Sequence, residues 1–65
     1  MEGTVVRITK DKGFGFIRER ITQKDYFFHM SALKNISLDQ LEIGQEVMFE
    51  DVDSPKGPRA EDIYT

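Results

Sequence analysis

The segment KGFGFI, residues 12–17, combines two phenylalanines with two glycines directly after a lysine. Alternate side chains of a β-strand point to opposite faces, so Phe14 and Phe16 share one face and the two glycines share the other. The phenylalanine face also carries Lys12 and Arg18, which are poor core residues. The glycine face suits the inside of a narrow barrel, because glycine has no Cβ to crowd the interior. The segment therefore predicts a strand whose aromatic side chains point outward.

The segment DYFFHM, residues 25–30, shows a similar alternation. Phe27 and His29 share one face, and the opposite face carries Tyr26, Phe28 and Met30. We place the face with Phe27 and His29 outside, beside the two phenylalanines of residues 12–17. The two strands together would then expose an aromatic surface, which is costly for a protein without a ligand for it.

Three further segments read as strands: TVVRITK at 4–10, EVMFEDV at 46–52 and RAEDIYT at 59–65. A turn is predicted at 54–58, which reads SPKGP. Between the third and fourth strands, the sequence favours a short helical turn at 31–33 followed by an ordered loop, and a longer amphipathic helix through Leu41 is the alternative. These elements predict an all-β domain spanning 1–65, a small five-stranded antiparallel Greek-key barrel of the OB type.

The composition restricts the class of protein. The chain has 65 residues and no Cys, so disulfides and thiolate metal sites are excluded. No apolar run approaches membrane-spanning length and no signal peptide pattern opens the chain, so we expect a cytoplasmic protein that does not enter a membrane.

The charge is unevenly distributed along the chain. The net charge is −3 at pH 7, yet residues 1–34 carry seven basic and four acidic side chains, whereas residues 35–65 carry two basic and eight acidic ones. A polyanion could therefore approach one side of the molecule and be repelled by the other.

The outward aromatic surface indicates the kind of ligand. Aromatic rings stack on nucleic-acid bases, and neighbouring lysines meet the phosphates between them. Single strands suit such a surface because their bases can splay out. An enzyme is not expected, because the chain has one His, no phosphate-binding loop and only sequence-adjacent acid pairs that would point to opposite faces. No cofactor or metal site is predicted.

The segments GTVVRITKDKGFGFI (3–17) and DYFFHMSAL (25–33) resemble the two ribonucleoprotein motifs of the bacterial cold-shock domain, and the likeness continues through LEIGQEVMFE and KGPRAEDI. The resemblance implies an OB barrel that binds single-stranded RNA or DNA, typically as an RNA chaperone or a regulator of transcription or translation. The contacts that it implies are Lys12, Phe14, Phe16, Phe27 and His29, with Met30, Leu38, Lys56 and Arg59 as further candidates.

The chain departs from the family pattern at several stacking positions. Arg7 and Ile8 stand where the family usually has Trp and Phe, Met30 stands where the second motif usually ends in Phe, and Leu38 replaces an aromatic of the long loop. A guanidinium can stack on a base and contact phosphate, so Arg7 is kept as a candidate contact. We expect weaker binding than in a typical member.

The alternative is that the chain is an OB-type protein-interaction module with little nucleic-acid binding. The missing Trp and the acidic second half of the sequence support this alternative. Salt dependence separates the two, since nucleic-acid binding weakens steeply as salt rises. The expected oligomeric state is a monomer or a weak homodimer.

Overall fold

A computed structural model describes residues 1–65 as a closed five-stranded barrel. The strands are β1 (Glu2–Thr9), β2 (Phe14–Glu19), β3 (Asp25–His29), β4 (Glu46–Ser54) and β5 (Gly57–Tyr64). A single 3₁₀ turn at Met30–Ala32 follows β3. The order around the barrel is β1-β2-β3-β5-β4, which confirms the predicted all-β, OB-type architecture.

The strand pairs are antiparallel except at the closure of the barrel. β1 pairs with β2 and β4, β2 with β3, and β4 with β5, all antiparallel. β3 and β5 run parallel and meet through a single residue pair, Phe27 and Arg59. The predicted antiparallel barrel therefore holds for four seams, and the fifth is a short parallel contact.

The loop between β3 and β4 decides between the two alternatives left open by the sequence. The helical turn lies one residue earlier than predicted, at Met30–Ala32, and no longer helix follows it. Residues 33–45 instead form an ordered loop. Leu38 and Leu41 attach this loop to the core, and their exposed fractions are only 8% and 2%. Two apolar anchors three residues apart fix this loop without a regular helix.

The barrel interior is filled by eleven buried side chains: Val5, Ile17, Tyr26, Phe28, Ala32, Leu38, Leu41, Val47, Phe49, Ala60 and Ile63. Gly15 faces this interior, and a Cβ there would press on the carbonyl oxygen of Arg7 and lie 2.8 Å from the ring of Phe28. The prediction that the glycine face is the core face is confirmed. The expected alternation in β4 is confirmed as well, since Val47 and Phe49 are buried and Met48 is exposed.

Irregularities in two strands set which side chains point outward. The register of β1 shifts between Val5 and Arg7, so that Val5 pairs with Ile17 and Arg7 pairs with Phe16. In β5, Asp62 adopts a positive φ of 49°, and Ala60 and Ile63 are both buried although they are three residues apart. The shift in β1 brings Arg7 to the outer face beside the aromatic residues of β2.

The 3₁₀ turn at Met30–Ala32 is far shorter than a membrane-spanning helix, and the chain contains no candidate for such a helix. No group of three or more His, Asp or Glu side chains is placed to hold a metal ion.

Candidate nucleic-acid interface

The outward side chains of β2 and β3 form one continuous surface, which we call the aromatic platform and define as Phe14, Phe16, Phe27 and His29. Phe14 lies opposite His29, and Phe16 lies opposite Phe27, in the β2–β3 pair. Directly opposite residues of an antiparallel pair place their side chains on the same face. The register therefore brings together the four residues that the sequence assigned to one surface.

The three phenylalanine rings contact one another through Phe27. Its ring centroid lies 5.5 Å from that of Phe14, at an interplanar angle of 41°, and 5.8 Å from that of Phe16, at 74°. These are favourable tilted and edge-to-face arrangements. The mutual contacts leave all three side chains half-buried rather than fully exposed, so they present ring surface that is already held in place.

Two arginines stand at the ends of the row that contains Phe16 and Phe27. Arg7 of β1 pairs with Phe16, and Arg59 of β5 pairs with Phe27, giving the cross-strand row Arg7–Phe16–Phe27–Arg59. Arg7 is exposed and forms none of the ion pairs of the chain. A guanidinium beside an aromatic ring can stack on a base or bind a phosphate, so both ends of the row offer a contact.

His29 joins the platform to the 3₁₀ turn that follows it. Its Nδ1 accepts a hydrogen bond from the backbone N–H of Ser31 at 3.1 Å and lies 2.9 Å from the Ser31 hydroxyl. Because Nδ1 acts as an acceptor, the proton of the neutral ring is assigned to Nε2. The Ser31 contact fixes the imidazole on the exposed side of β3 with Nε2–H available as a donor.

A groove of about 570 Å³ runs along one side of the platform. It is lined by Phe16, Phe27 and Arg59 together with Lys56 of the β4–β5 turn and Pro58 at the start of β5. Lys56 is exposed. The groove thus combines aromatic rings with cations, the two kinds of group that bind a single strand.

Arg18, which the sequence places on the phenylalanine face, forms an ion pair within the protein. Its Nε donates to Asp25 Oδ1 at 2.8 Å and its Nη2 to Oδ2 at 3.2 Å, a bidentate pair across β2 and β3. The hydrogen bonds that Arg18 donates hold the pKa of Asp25 below its usual value, and the same bonds to the Asp25 carboxylate raise the pKa of Arg18. The charge of Arg18 is thus largely offset before any ligand arrives.

Four of the sequence-predicted residues lie outside the regular strands: Lys12, Met30, Leu38 and Lys56. Lys12 is exposed in the turn before β2, where Gly13 has a φ of +76°, so strand alternation does not reach it. Met30 was expected on the inner face of β3, but β3 ends at His29, and Met30 lies 52% exposed in the 3₁₀ turn. There its thioether is next to Gly13, at the edge of the platform.

Leu38 does not belong to this surface. It is 8% exposed and packs in the core cluster, so it offers no ring or apolar face for a base to stack on. The position expected to replace a loop aromatic serves instead to attach the loop to the barrel. We leave Leu38 out of the candidate site for this reason.

The sequence reading missed one ion pair of the site. Arg59 lines the groove, and its Nη2 lies 2.9 Å from Glu61 Oε2. The signal was available, because residues two apart in a strand share a face and Arg59 and Glu61 have this spacing.

The comparisons with known proteins agree with this geometry. The family model "'Cold-shock' DNA-binding domain" matches residues 1–65. A cold shock-like protein of Aquifex aeolicus is 41% identical over 61 residues, covering 94% of this chain and 87% of that protein. The cold shock-like protein CspC of Bacillus cereus is 43% identical over 63 residues, covering 97% of this chain and 95% of that protein. The cold shock protein CspA of Staphylococcus saprophyticus is 42% identical over 62 residues, covering 95% and 92%.

Proposed function

Because the chain belongs to the cold-shock DNA-binding domain family, whose members are non-enzymatic and bind single-stranded nucleic acids, we propose that it binds single-stranded RNA or DNA on the aromatic platform. Bases stack on Phe14, Phe16 and Phe27, and His29 donates from Nε2. The observation that carries the proposal is the continuous outward row in which Phe16 and Phe27 lie between Arg7 and Arg59.

The charge distribution orients the ligand. The exposed Lys12, Arg7 and Lys56 surround the platform, whereas the acidic residues are concentrated in the second half of the sequence. A polyanion approaching the platform side meets cations there, although the chain as a whole is acidic. The backbone phosphates then follow the cations while the bases lie on the rings.

The affinity is lower than in a typical member of the family. Arg7 offers less stacking area than the Trp usual at this position, and the buried Leu38 supplies none. Each base–aromatic stack contributes about 1–3 kcal/mol, so the loss of two such partners is substantial. The contact set that we propose is Arg7, Lys12, Phe14, Phe16, Phe27, His29, Met30, Lys56 and Arg59.

The cellular role that we propose is that of an RNA chaperone or a regulator of transcription or translation in the cytoplasm. Weak stacking on unpaired bases, without a specific readout of base edges, would allow the protein to hold RNA open and then release it. A monomer, or at most a weak homodimer, suffices because a single barrel carries the whole platform.

A titration of labelled oligonucleotides tests the proposal. The protein has no Trp, so binding is followed by the fluorescence anisotropy of fluorescein-labelled dT, dC and mixed RNA heptamers at two salt concentrations. We expect binding that weakens as salt rises, and much weaker binding of a duplex of the same length, whose bases are not accessible for stacking.

The same titration addresses the alternative, a barrel whose aromatic surface docks a protein. Absence of heptamer binding at millimolar protein, in the lower salt, would contradict the nucleic-acid proposal and favour the protein-interaction module. Binding of duplex and single strand with equal affinity would contradict the role of base stacking.

A further inference from the structure

The ion pair between Arg59 and Glu61 occupies a position that a nucleic-acid phosphate would also favour. The two residues are two apart on β5, and their side chains are 39% and 35% exposed. Arg59 also lies next to Phe27 in the cross-strand row and lines the groove beside the platform. A carboxylate of the protein therefore already holds the guanidinium that ends the row.

The bonding of Arg59 is incomplete in this arrangement. Its Nε is shielded from solvent and has no hydrogen-bond acceptor. Buried N–H donors without an acceptor are rare, because the group loses its water without gaining a partner. A guanidinium has five N–H donors arranged as a planar fork, which suits the two oxygens of a phosphate as well as those of a carboxylate. The ion pair with Glu61 thus leaves one donor of Arg59 without a partner.

A second carboxylate faces Glu61. Glu50 of β4 is its cross-strand partner, and like charges placed directly opposite are unfavourable. The pairing of Arg59 with Glu61 offsets this repulsion. A ligand that draws Arg59 away leaves the two carboxylates facing each other, which adds to the cost of the exchange.

We propose that the Glu61 carboxylate competes with the phosphodiester groups of a single-stranded nucleic acid for Arg59, and that Glu61 thereby sets the affinity and salt dependence of the platform. This inference rests on the proposed function. Glu61 does not itself bind the ligand. It acts through Arg59, by determining how much of that guanidinium is available.

The adjacent Asp62 provides a matched control. It carries the same charge as Glu61, but it pairs with Lys34 at 3.5 Å and not with Arg59. Asn tolerates the positive φ of position 62 well, so Asp62→Asn is not expected to strain the strand. Glu61→Gln and Asp62→Asn change the net charge equally and differ in whether the partner of Arg59 is removed.

The experiment compares wild type, Glu61→Gln and Asp62→Asn in the anisotropy titration with a fluorescein-labelled dT heptamer at several salt concentrations. We expect Glu61→Gln to bind about two- to fivefold more tightly than wild type, as the loss of one competing surface ion pair implies. Its slope of log K against log salt should become more negative by about 0.7, which corresponds to one further phosphate contact on a single strand. Asp62→Asn should stay within about 1.5-fold of wild type, since its charge is exposed and screened.

A second background tests whether the effect depends on Arg59. In an Arg59→Ala protein, adding Glu61→Gln should change the affinity no more than adding Asp62→Asn does. Thermal unfolding of each variant shows that the barrel is folded at the temperature of the titration.

The outcomes separate this inference from the proposed function. If wild type binds and Glu61→Gln resembles Asp62→Asn in affinity and salt slope, the competition is overturned and the binding function stands. If Glu61→Gln still tightens binding without Arg59, the competition is likewise overturned. If neither wild type nor Glu61→Gln binds the heptamer, both the function and the competition are overturned.

Discussion

Gly15 of β2 lies directly opposite Phe28 of β3, and a Cβ at position 15 would approach the Phe28 ring to within 2.8 Å. This relationship explains why a glycine stands between Phe14 and Phe16. The inner face of β2 leaves room for the large core ring of β3, and the outer face carries the rings of the platform. One strand therefore serves both the core and the ligand surface.

Substitution of this glycine tests the packing. We expect Gly15→Ala to lower the free energy of unfolding by about 1–3 kcal/mol, because the added methyl group overpacks the interior against backbone and ring. Chemical denaturation followed by circular dichroism measures the loss.

Phe28→Leu, which places a smaller side chain in the core, provides the control for this prediction when it is combined with Gly15→Ala. The double variant should lose less stability than the sum of the two single variants, since the smaller side chain relieves the contact. Additive losses would show that the Gly15–Phe28 contact is not the cause.

Removal of a platform ring should weaken binding without unfolding the barrel. Phe27 contacts both Phe14 and Phe16, so Phe27→Ala removes one stacking surface and disturbs the other two. We expect a loss of about 1–3 kcal/mol in heptamer binding for Phe14→Ala, and a loss at least as large for Phe27→Ala.

Tyr64→Ala is the matched control for the platform variants. Tyr64 is an exposed aromatic, 49% accessible, and pairs with Met48 of β4, away from the platform. Its removal should leave the affinity unchanged. If Phe14→Ala or Phe27→Ala bound a dT heptamer as tightly as wild type, the platform would not be the binding surface.

Arg7 allows charge and stacking to be distinguished at one position. Arg7→Ala and Arg7→Trp both remove a cation beside Phe16, so both should make the salt slope shallower by about 0.7. Arg7→Trp should nevertheless bind more tightly than Arg7→Ala, because the indole adds a stacking surface to the row. Anisotropy titrations at three salt concentrations provide both quantities. Equal affinities of the two variants would exclude stacking at this position.

Two carboxylates connect the stability of the barrel to pH. Hydrogen bonds from the backbone N–H groups of Ile21 and Thr22, at 3.0 and 2.7 Å, lower the pKa of Glu19 below its ordinary 4.5. Hydrogen bonds from Arg18 lower the pKa of Asp25 below 3.8. A group whose folded-state pKa is depressed contributes stability above its unfolded-state pKa and loses it as the pH falls through the folded-state value.

The melting temperature should therefore be insensitive to these two groups above about pH 5 and should fall as the pH is lowered from there towards 2. Thermal unfolding between pH 2 and 7 measures this. Glu19→Gln should have a lower melting temperature at pH 7 and a smaller decrease on acidification than wild type. An equal decrease in the variant would contradict the contribution of Glu19.

Local patterns in the sequence were sufficient to predict the platform but not its surroundings. Strand alternation placed Phe14 and Phe16 on one face of β2, and Phe27 and His29 on one face of β3, because that rule depends only on neighbouring residues. It failed at Lys12 and Met30, where a positive-φ glycine and the end of β3 interrupt the alternation. Burial of Leu38 depends on how a loop of residues 33–45 folds onto the barrel, which no periodic pattern specifies.

Contacts between distant segments could likewise not be predicted from the sequence. The row that joins Arg7 to Arg59 requires the irregularity after Val5 and the parallel pairing of β3 with β5. Neither feature has a signature in its own segment. The Arg18–Asp25 pair follows from the register of β2 and β3. That register is known only when the conformation of the turn between the two strands is known.

The parallel contact of Phe27 with Arg59 has a dynamic consequence. Every other seam of the barrel is held by several backbone pairs, whereas β3 and β5 share one, so thermal opening of the barrel should begin there. An oligonucleotide that contacts both residues crosses this seam on the outside of the barrel and holds β3 and β5 together. Amide hydrogen exchange in β3 and β5 should then slow on binding more than exchange in the β1–β4 pair. The ligand would thus stabilise the seam of the barrel that has the fewest backbone pairs.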